Sequence, residues 1–441
     1  ILLIQWQMAR HLPHLCGLRL VLIGWVVVFH QTLILNDDAA YGGAEAESAP
    51  DRLARTLFRT DNGAVARVHI AVVGFVVLSG FVVQWSQGER SPGLGRGLVR
   101  WYAERLDRVL LTTWFGMGVH QVIAALAHAP QSDNAGLLVR CYLQLEPWFQ
   151  SSLAGGEDLS RCPDLPVWTI GCLLPQWLLY PLVTQRLITA VAGVGLSALL
   201  LMAFAAWGGY LLVFVIPYFA GGRSLDGDVV EWRLYTHPLA WVPVFAFGAA
   251  TGALVDGHSR AVRENAAGLI PGVVADVCAA ALLTIAMVDV PDPTTSSFLL
   301  PISALLFGCF MFGSSVGSWP GYFAGRLARP AVQSGGKYAF EVYILHLPTF
   351  DFLKNFCGGR VDSYGGNLFV LLLVWWLASS WACYVQNPLT WRLRKRVQAW
   401  ASAGDAEGEV QSTAAPTGRL PKKDERTPLK PEGPIQFSRT V

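Results

Sequence analysis

Residues 18–31 read Leu18-Arg19-Leu20-Val21-Leu22-Ile23-Gly24-Trp25-Val26-Val27-Val28-Phe29-His30-Gln31. One arginine stands at the start of this apolar run and one histidine lies deep inside it. They are eleven residues apart, so on a helix they return to within about 20° of one face, with the imidazole about 16 Å further along the axis. The run reads as a membrane span, and ionisable groups inside a span are costly enough to be functional candidates. The plainer reading of His30 is a histidine packed between helices and hydrogen-bonded to a neighbour. This helix alone does not separate the two.

The rest of the chain agrees with a membrane setting. Its 441 residues are 53% hydrophobic and 15% charged, with a mean hydropathy of +0.40. Soluble domains carry about 25% charged residues, so the chain reads as an all-α, polytopic membrane protein. A net charge of +2 gives no reason to expect nucleic acid. The 17 tryptophans suit interfacial belts in a lipid bilayer. None of the cysteines has metal-ligand spacing, and no metal is expected. Only Cys141 and Cys162 share a loop, so a disulfide is expected there if that loop is extracytoplasmic. No Asn-x-Ser/Thr acceptor occurs. The chain begins at Ile1 without a methionine, as expected if an upstream piece is missing, and no cleavable signal peptide separates from the first span.

Residues 1–16 form a short, partly basic N-terminal segment, 17–390 a membrane domain, and 391–441 a polar tail whose composition predicts disorder. Spans are expected at about 18–36, 67–86, 109–128, 166–185, 239–256, 269–289, 297–316, 336–357 and 366–386. The apolar tract 188–220 is long for one helix and short for two. The positive-inside rule arbitrates. With a cytoplasmic amino terminus and one crossing in 188–220, the basic connection 88–108 falls inside. So do the later connections carrying Arg260, Arg263, Arg326 and Arg329, and the run Arg392 to Arg396. Two crossings would invert every later loop. Charge bias therefore chooses about ten spans with both termini cytoplasmic.

Arg105 and Arg108 lie at the start of the third span, three residues apart and on one helix face. Together with Arg19 they would suit a phosphorylated ligand, because each guanidinium is a planar fork matched to phosphate. The plainer reading is positive-inside anchors that snorkel to headgroups. A neutral imidazole in an apolar pocket suits a general base for a hydroxyl, which can then attack a thioester. Weaker candidates remain. His128 and Asp133 make an H-x4-D pattern, on the outer loop. His69 opens the second span, where a structural role is the plainer reading and a place beside His30 the sharper one. Ser79 and Gly80 allow close helix approach. His346 lies in an apolar run with Glu341 five residues earlier, on a different face. Asp276 opens another span, and a buried acid there would be able to orient a histidine.

Taken together, these motifs resemble the acyltransferase-3 family of integral membrane acyltransferases over about residues 15–390. The family's R-x10-H signature matches Arg19 and His30, and its R-x-x-R motif matches Arg105-Leu106-Asp107-Arg108. Its second-span motif resembles Phe75-Val76-Val77-Leu78-Ser79-Gly80-Phe81, and its late motif is similar to Ala339 through His346. The resemblance implies ten helices with both termini cytoplasmic and an acyl-CoA co-substrate, most often acetyl-CoA. It implies His30 as the catalytic histidine and Arg19, Arg105 and Arg108 as acyl-CoA ligands. The acceptor would be a hydroxyl on a carbohydrate, a lipid-linked sugar, peptidoglycan or a small natural product. Three departures bear on acceptor contacts. The second-span motif has one phenylalanine where two are usual. The family's Trp-Ser-Leu-x-x-Glu motif appears as Trp168-Thr169-Ile170-Gly171-Cys172-Leu173, with leucine for glutamate, and the proline expected after R-x-x-R is absent.

The sequence thus predicts a multi-pass O-acyltransferase, with Ser79, His69, Glu341 and His346 in supporting roles. The rival class is a secondary transporter with an intramembrane His/Arg site, against which the lack of internal repeats counts. A third reading, a membrane-bound O-acyltransferase of the other family using His346, is opposed by the R-x10-H and R-x-x-R pair.

Overall fold

The chain is described in a computed structural model over residues 12–35, 67–87, 95–128, 135–149, 162, 167–192, 205, 208–209, 237–262, 269–287, 293–316, 319–358, 361 and 364–413. Among these residues the fold is helical and holds no strand. Six helices are long and apolar enough to cross a membrane, by length and composition. In chain order the long helices are α1 (Pro13–Leu35), α2 (Val68–Gln87) and α3 (Arg96–Leu126). The short α4 (Ala135–Tyr142) and α5 (Glu146–Phe149) follow. A disulfide joins Cys141 to Cys162, the pair that shares a loop.

The fourth apolar segment is broken into α6 (Trp168–Leu179), a π-helical turn at Tyr180–Thr184, and α7 (Gln185–Ala192). Pro181 lies in that turn and has no N–H to donate to the preceding turn, which is where an α-helix gives way. Next come α8 (Pro238–Val262), α9 (Ile270–Met287) and α10 (Pro293–Ser315). The connection that carries Arg326 and Arg329 holds two short helices, α11 (Tyr322–Leu327) and α12 (Pro330–Gly336). Asp276 of α9 caps α11, accepting from the N–H groups of Tyr322 (2.7 Å) and Phe323 (2.9 Å), so this acid supports a helix start rather than a histidine. The chain ends in α13 (Ala339–Phe356), α14 (Tyr364–Trp381), a second π turn at Ala382–Gln386, and α15 (Asn387–Thr413).

Two expectations change here. Residues 391–413 are helical, not unstructured; side-chain contacts described below hold α15 to α3. The third helix also begins well before residue 109, because the basic connection is itself helical from Arg96, with Arg100 and Glu104 paired at i, i+4 (2.8 Å). The tract 188–220 lies mostly outside the described residues, as do the loop 37–66 and the end of the tail, so the count of ten is not read from the structure.

Helices α2 and α8 form the centre, each 72% buried over its span. They touch backbone to backbone. A Cβ on Gly80 would overlap the Phe245 carbonyl, and a Cβ on Gly248 would overlap that of Val77. Inside a membrane, packing of this kind replaces the hydrophobic effect as the source of helix association. Gly80→Val is therefore expected to destabilise the protein by at least the ~1–3 kcal/mol of ordinary overpacking, because the obstacle is backbone. The measurement is thermal denaturation of the detergent-solubilised variant, and an unchanged midpoint would contradict this packing.

Contacts fix the helix directions. Arg105 at the start of α3 reaches Ser86 at the end of α2 (3.1 Å), and Arg108 reaches Glu341 at the start of α13 (2.7 Å). The starts of α3 and α13 and the end of α2 thus share one end of the bundle, here called the arginine end. At the opposite end Arg67, just before α2, donates to the Ile285 carbonyl near the close of α9. Along α6 and its π turn, Trp168 meets Trp241 and Tyr180 meets Phe245 of α8, with ring centroids 6.4 Å apart in both cases, and Gln176 Nε2 donates to the Pro238 carbonyl (3.1 Å).

Candidate active site

At the arginine end, α3 presents two guanidiniums to two different neighbours. Arg108 donates from Nε to Glu341 Oε1 (2.7 Å), with its Nη2 2.6 Å from the same oxygen. Glu341 is fully buried, and its second oxygen, Oε2, has no hydrogen-bond partner. Arg19 of α1 lies within electrostatic range of both Arg108 and Glu341. Arg105 sits round the helix from Arg108. It donates to Ser86 Oγ (3.1 Å) and Gln87 Oε1 (3.4 Å) and covers the Trp101 ring at 4.7 Å. The structure therefore brings Arg19, Arg108 and Glu341 together, and holds Arg105 against α2. These cations remain half-exposed.

Deeper in the bundle α1 and α13 meet through their histidines. His30 Nδ1 lies 3.0 Å from His346 Nε2. His346 is fully buried, and its Nδ1 lies 2.7 Å from the Tyr343 carbonyl oxygen. A carbonyl oxygen only accepts, so Nδ1 of His346 carries the proton. In the neutral ring Nε2 is then an acceptor, and His30 Nδ1 must be the donor across the 3.0 Å contact. With Nδ1 protonated, the lone pair of the neutral His30 ring is on Nε2. The Arg108–Glu341 contact and the His30–His346 contact both fall on α13, about 7.5 Å apart along its axis.

The supporting residues divide. Ser79 accepts from Trp177 Nε1 (2.8 Å), which ties α2 to α6. Phe75 of the same motif packs its ring 6.2 Å from that of Tyr343. His69 is half-buried in the first turn of α2, at the end of the bundle opposite Arg105. His128 stands exposed just past the end of α3 with φ 52°, and its H-x4-D partner Asp133 lies outside the described residues. Leu173, at the position of the family's glutamate, is buried among apolar groups.

Besides the Arg108–Glu341 and His30–His346 pairings, sequence reasoning missed three further contacts. Thr169 Oγ1 meets Tyr343 OH at 2.7 Å, so the serine-like position of the Trp-Thr-Ile stretch bears on the residue whose carbonyl holds His346. His120 Nδ1 of α3 lies 3.2 Å from Asp351 Oδ2 of α13, outward of the histidine pair. Arg394 of α15 binds Asp107, inside the R-x-x-R turn. Asp107 was legible as an acid between two arginines; its partner, 287 residues on, was not. Among the described residues no group of three or more His, Cys, Asp or Glu could hold a metal ion.

A family model described as an acyltransferase domain matches residues 14–385. No curated protein and no solved structure matches the chain.

Proposed function

The chain belongs to the acyltransferase-3 family of integral, multi-pass membrane acyltransferases, and from that premise we propose that it moves an acyl group, acetyl in the first instance, from acyl-CoA to a hydroxyl. The acceptor is a carbohydrate, a lipid-linked molecule or a small molecule. Arg19, Arg105 and Arg108 hold the phosphates of the donor at the arginine end. The thioester reaches along α1 to His30, a rise of about 16 Å, on the scale of an extended pantetheine arm. His30 Nε2 takes the proton of the acceptor hydroxyl, and the oxygen attacks the thioester carbonyl. The C–S bond breaks, and the imidazolium returns the proton to the leaving thiolate. The products are the ester and free CoA thiol.

The observation that carries this reading is the chain of contacts from the Tyr343 carbonyl through His346 to His30. It supports reading His30 Nε2 as the base, with His346 orienting the ring as a second residue orients a catalytic imidazole elsewhere. His346 is thus a positioning residue. His346→Ala is expected to lower kcat by about 10–100-fold, part of the ~10²–10⁴ that a positioned base supplies, with donor KM within twofold. Steady-state kinetics check it, and an unchanged kcat would contradict the role.

The positive-inside rule places the arginine end in the cytoplasm, because Arg100, Arg105 and Arg108 and the start of α15 gather there. The Cys141–Cys162 bridge, near the far end through Trp148 and His237 (ring centroids 5.7 Å apart), agrees with an oxidising compartment on that side. The test is transfer of label from acetyl-CoA to a panel of hydroxyl acceptors by membranes carrying the protein. Label on an acceptor above that of empty membranes supports the proposal. Saturable acceptor uptake across the membrane with no acyl transfer would instead favour a transporter.

A further inference from the structure

Beyond residue 385, where the family match ends, helix α15 turns back along α3. The seam is continuous. Trp381, at the end of α14, stacks on Phe115 with ring centroids 3.6 Å apart, and its Nε1 donates to Thr112 Oγ1 (3.2 Å). Gln386 Nε2 donates to the Arg108 carbonyl (3.2 Å). Arg394 binds Asp107 in bidentate fashion, Nε to Oδ2 at 2.7 Å and Nη2 to Oδ1 at 2.9 Å, and the same Nη2 donates to the Glu104 carbonyl (2.9 Å). Arg96 covers the Trp400 ring at 5.1 Å. The two helical segments run antiparallel, from Phe115 against Trp381 to Arg96 against Trp400.

The most specific part of this seam grips one turn. The Asp107 side chain is fully enclosed. It stands between Arg105 and Arg108, and its Oδ1 also accepts from the Arg108 N–H (2.6 Å). Two side chains, Gln386 of the π turn and Arg394 of α15, therefore hold the carbonyls of Arg108 and Glu104 and the carboxylate between the two arginines. A bidentate guanidinium–carboxylate pair fixes orientation as well as distance. Anchoring α3 at residue 107 sets the rotation at which Arg105 faces α2 and Arg108 faces α13.

We propose that α15 is a positioning element for the anionic donor, with Arg394 clamping Asp107 so that Arg105 and Arg108 are held at the spacing that receives its phosphates. This rests on the assignment of those arginines to acyl-CoA. Arg394 itself touches no reacting atom. The clamp therefore acts on donor affinity and leaves the chemistry at His30 alone, about two helical turns deeper in the bundle than the start of α13.

The test is donor kinetics and hydrogen exchange on the full chain in detergent or nanodiscs. Arg394→Gln is expected to raise the acetyl-CoA KM at least tenfold, with kcat at saturating donor within twofold. Arg394→Lys, which keeps the charge but not the fork, is expected to recover part of that loss. Asp107→Asn and the double variant Asp107→Asn/Arg394→Gln are expected to match Arg394→Gln, because one interaction is removed in all three. Exchange of the amides of residues 104–112 is expected to quicken in Arg394→Gln. A donor KM within twofold of wild type in folded Arg394→Gln overturns the clamp. Should the wild type show no affinity for acyl-CoA, the donor assignment fails, and the exchange measurement still decides whether Arg394 holds this turn. Unchanged protection of 104–112 in Arg394→Gln then overturns the proposal.

Discussion

His30→Ala is expected to reduce acyl transfer by about 10³-fold, the scale of a lost general base, while the protein stays folded and in the membrane. The expectation of an intact fold has a structural basis. The His30 ring makes one side-chain hydrogen bond in the histidine pair, and His346 keeps its own bond to the Tyr343 carbonyl when His30 is removed. Helix α1 retains its packing through Leu22, Ile23, Val26 and Val27, all buried in the core. The variant should therefore elute as a single species on size exclusion and bind acetyl-CoA within threefold of wild type. Transfer at the wild-type rate would defeat the assignment of His30.

Arg108→Ala is expected to fail in two ways that a second substitution separates. Removing the guanidinium leaves the buried Glu341 carboxylate without its partner. An enclosed pair broken in this manner costs about 3–5 kcal/mol. Arg108 keeps 38% exposure, so roughly 2 kcal/mol is expected here. Arg108→Ala should thus lower both thermal stability and donor affinity. Glu341→Gln removes the buried charge, and the double variant Arg108→Ala/Glu341→Gln is expected to regain stability while donor affinity stays at least tenfold below wild type. Thermal denaturation and acetyl-CoA binding measure the two effects. Recovery of both together would show that Arg108 serves only to neutralise Glu341.

The sequence was most informative where one helix carries the whole signal. Arg19 and His30 share α1, and periodicity alone puts them on a common face; Arg105 and Arg108 share α3, but there one meets α2 and the other α13. It was silent where the partner comes from a distant helix. Arg108 meets Glu341 across 233 residues, and His30 meets His346 across 316. Glu341 and His346 point to different faces of α13, as their spacing requires, and each meets a different helix. Helix α13 also shows why hydropathy understates the site. Glu341, Asp351 and Lys354 keep it out of the apolar class although it packs beside α1 and α3. The short helices α11 and α12 have too few turns for a period to register. The start of the tail misled because its charges read as solvated. Arg394 is instead spent on a buried acid, and Leu393 and Trp391 accompany it on a helix.

The central claim is that a thioester reaches from the arginine end to His30. Bromoacetyl-CoA, an electrophilic donor analogue, tests it in one experiment. The purified protein is treated with the analogue with and without excess acetyl-CoA, digested, and mapped by mass spectrometry. The account predicts that His30 displaces bromide to carry a CH2–CO–S-CoA adduct, read as carboxymethyl once its thioester is hydrolysed, and that acetyl-CoA suppresses it. Cys357 and Cys383, both exposed, are expected to react to the same extent in either condition. Labelling confined to those exposed thiols, with His30 unmodified, would contradict the claim.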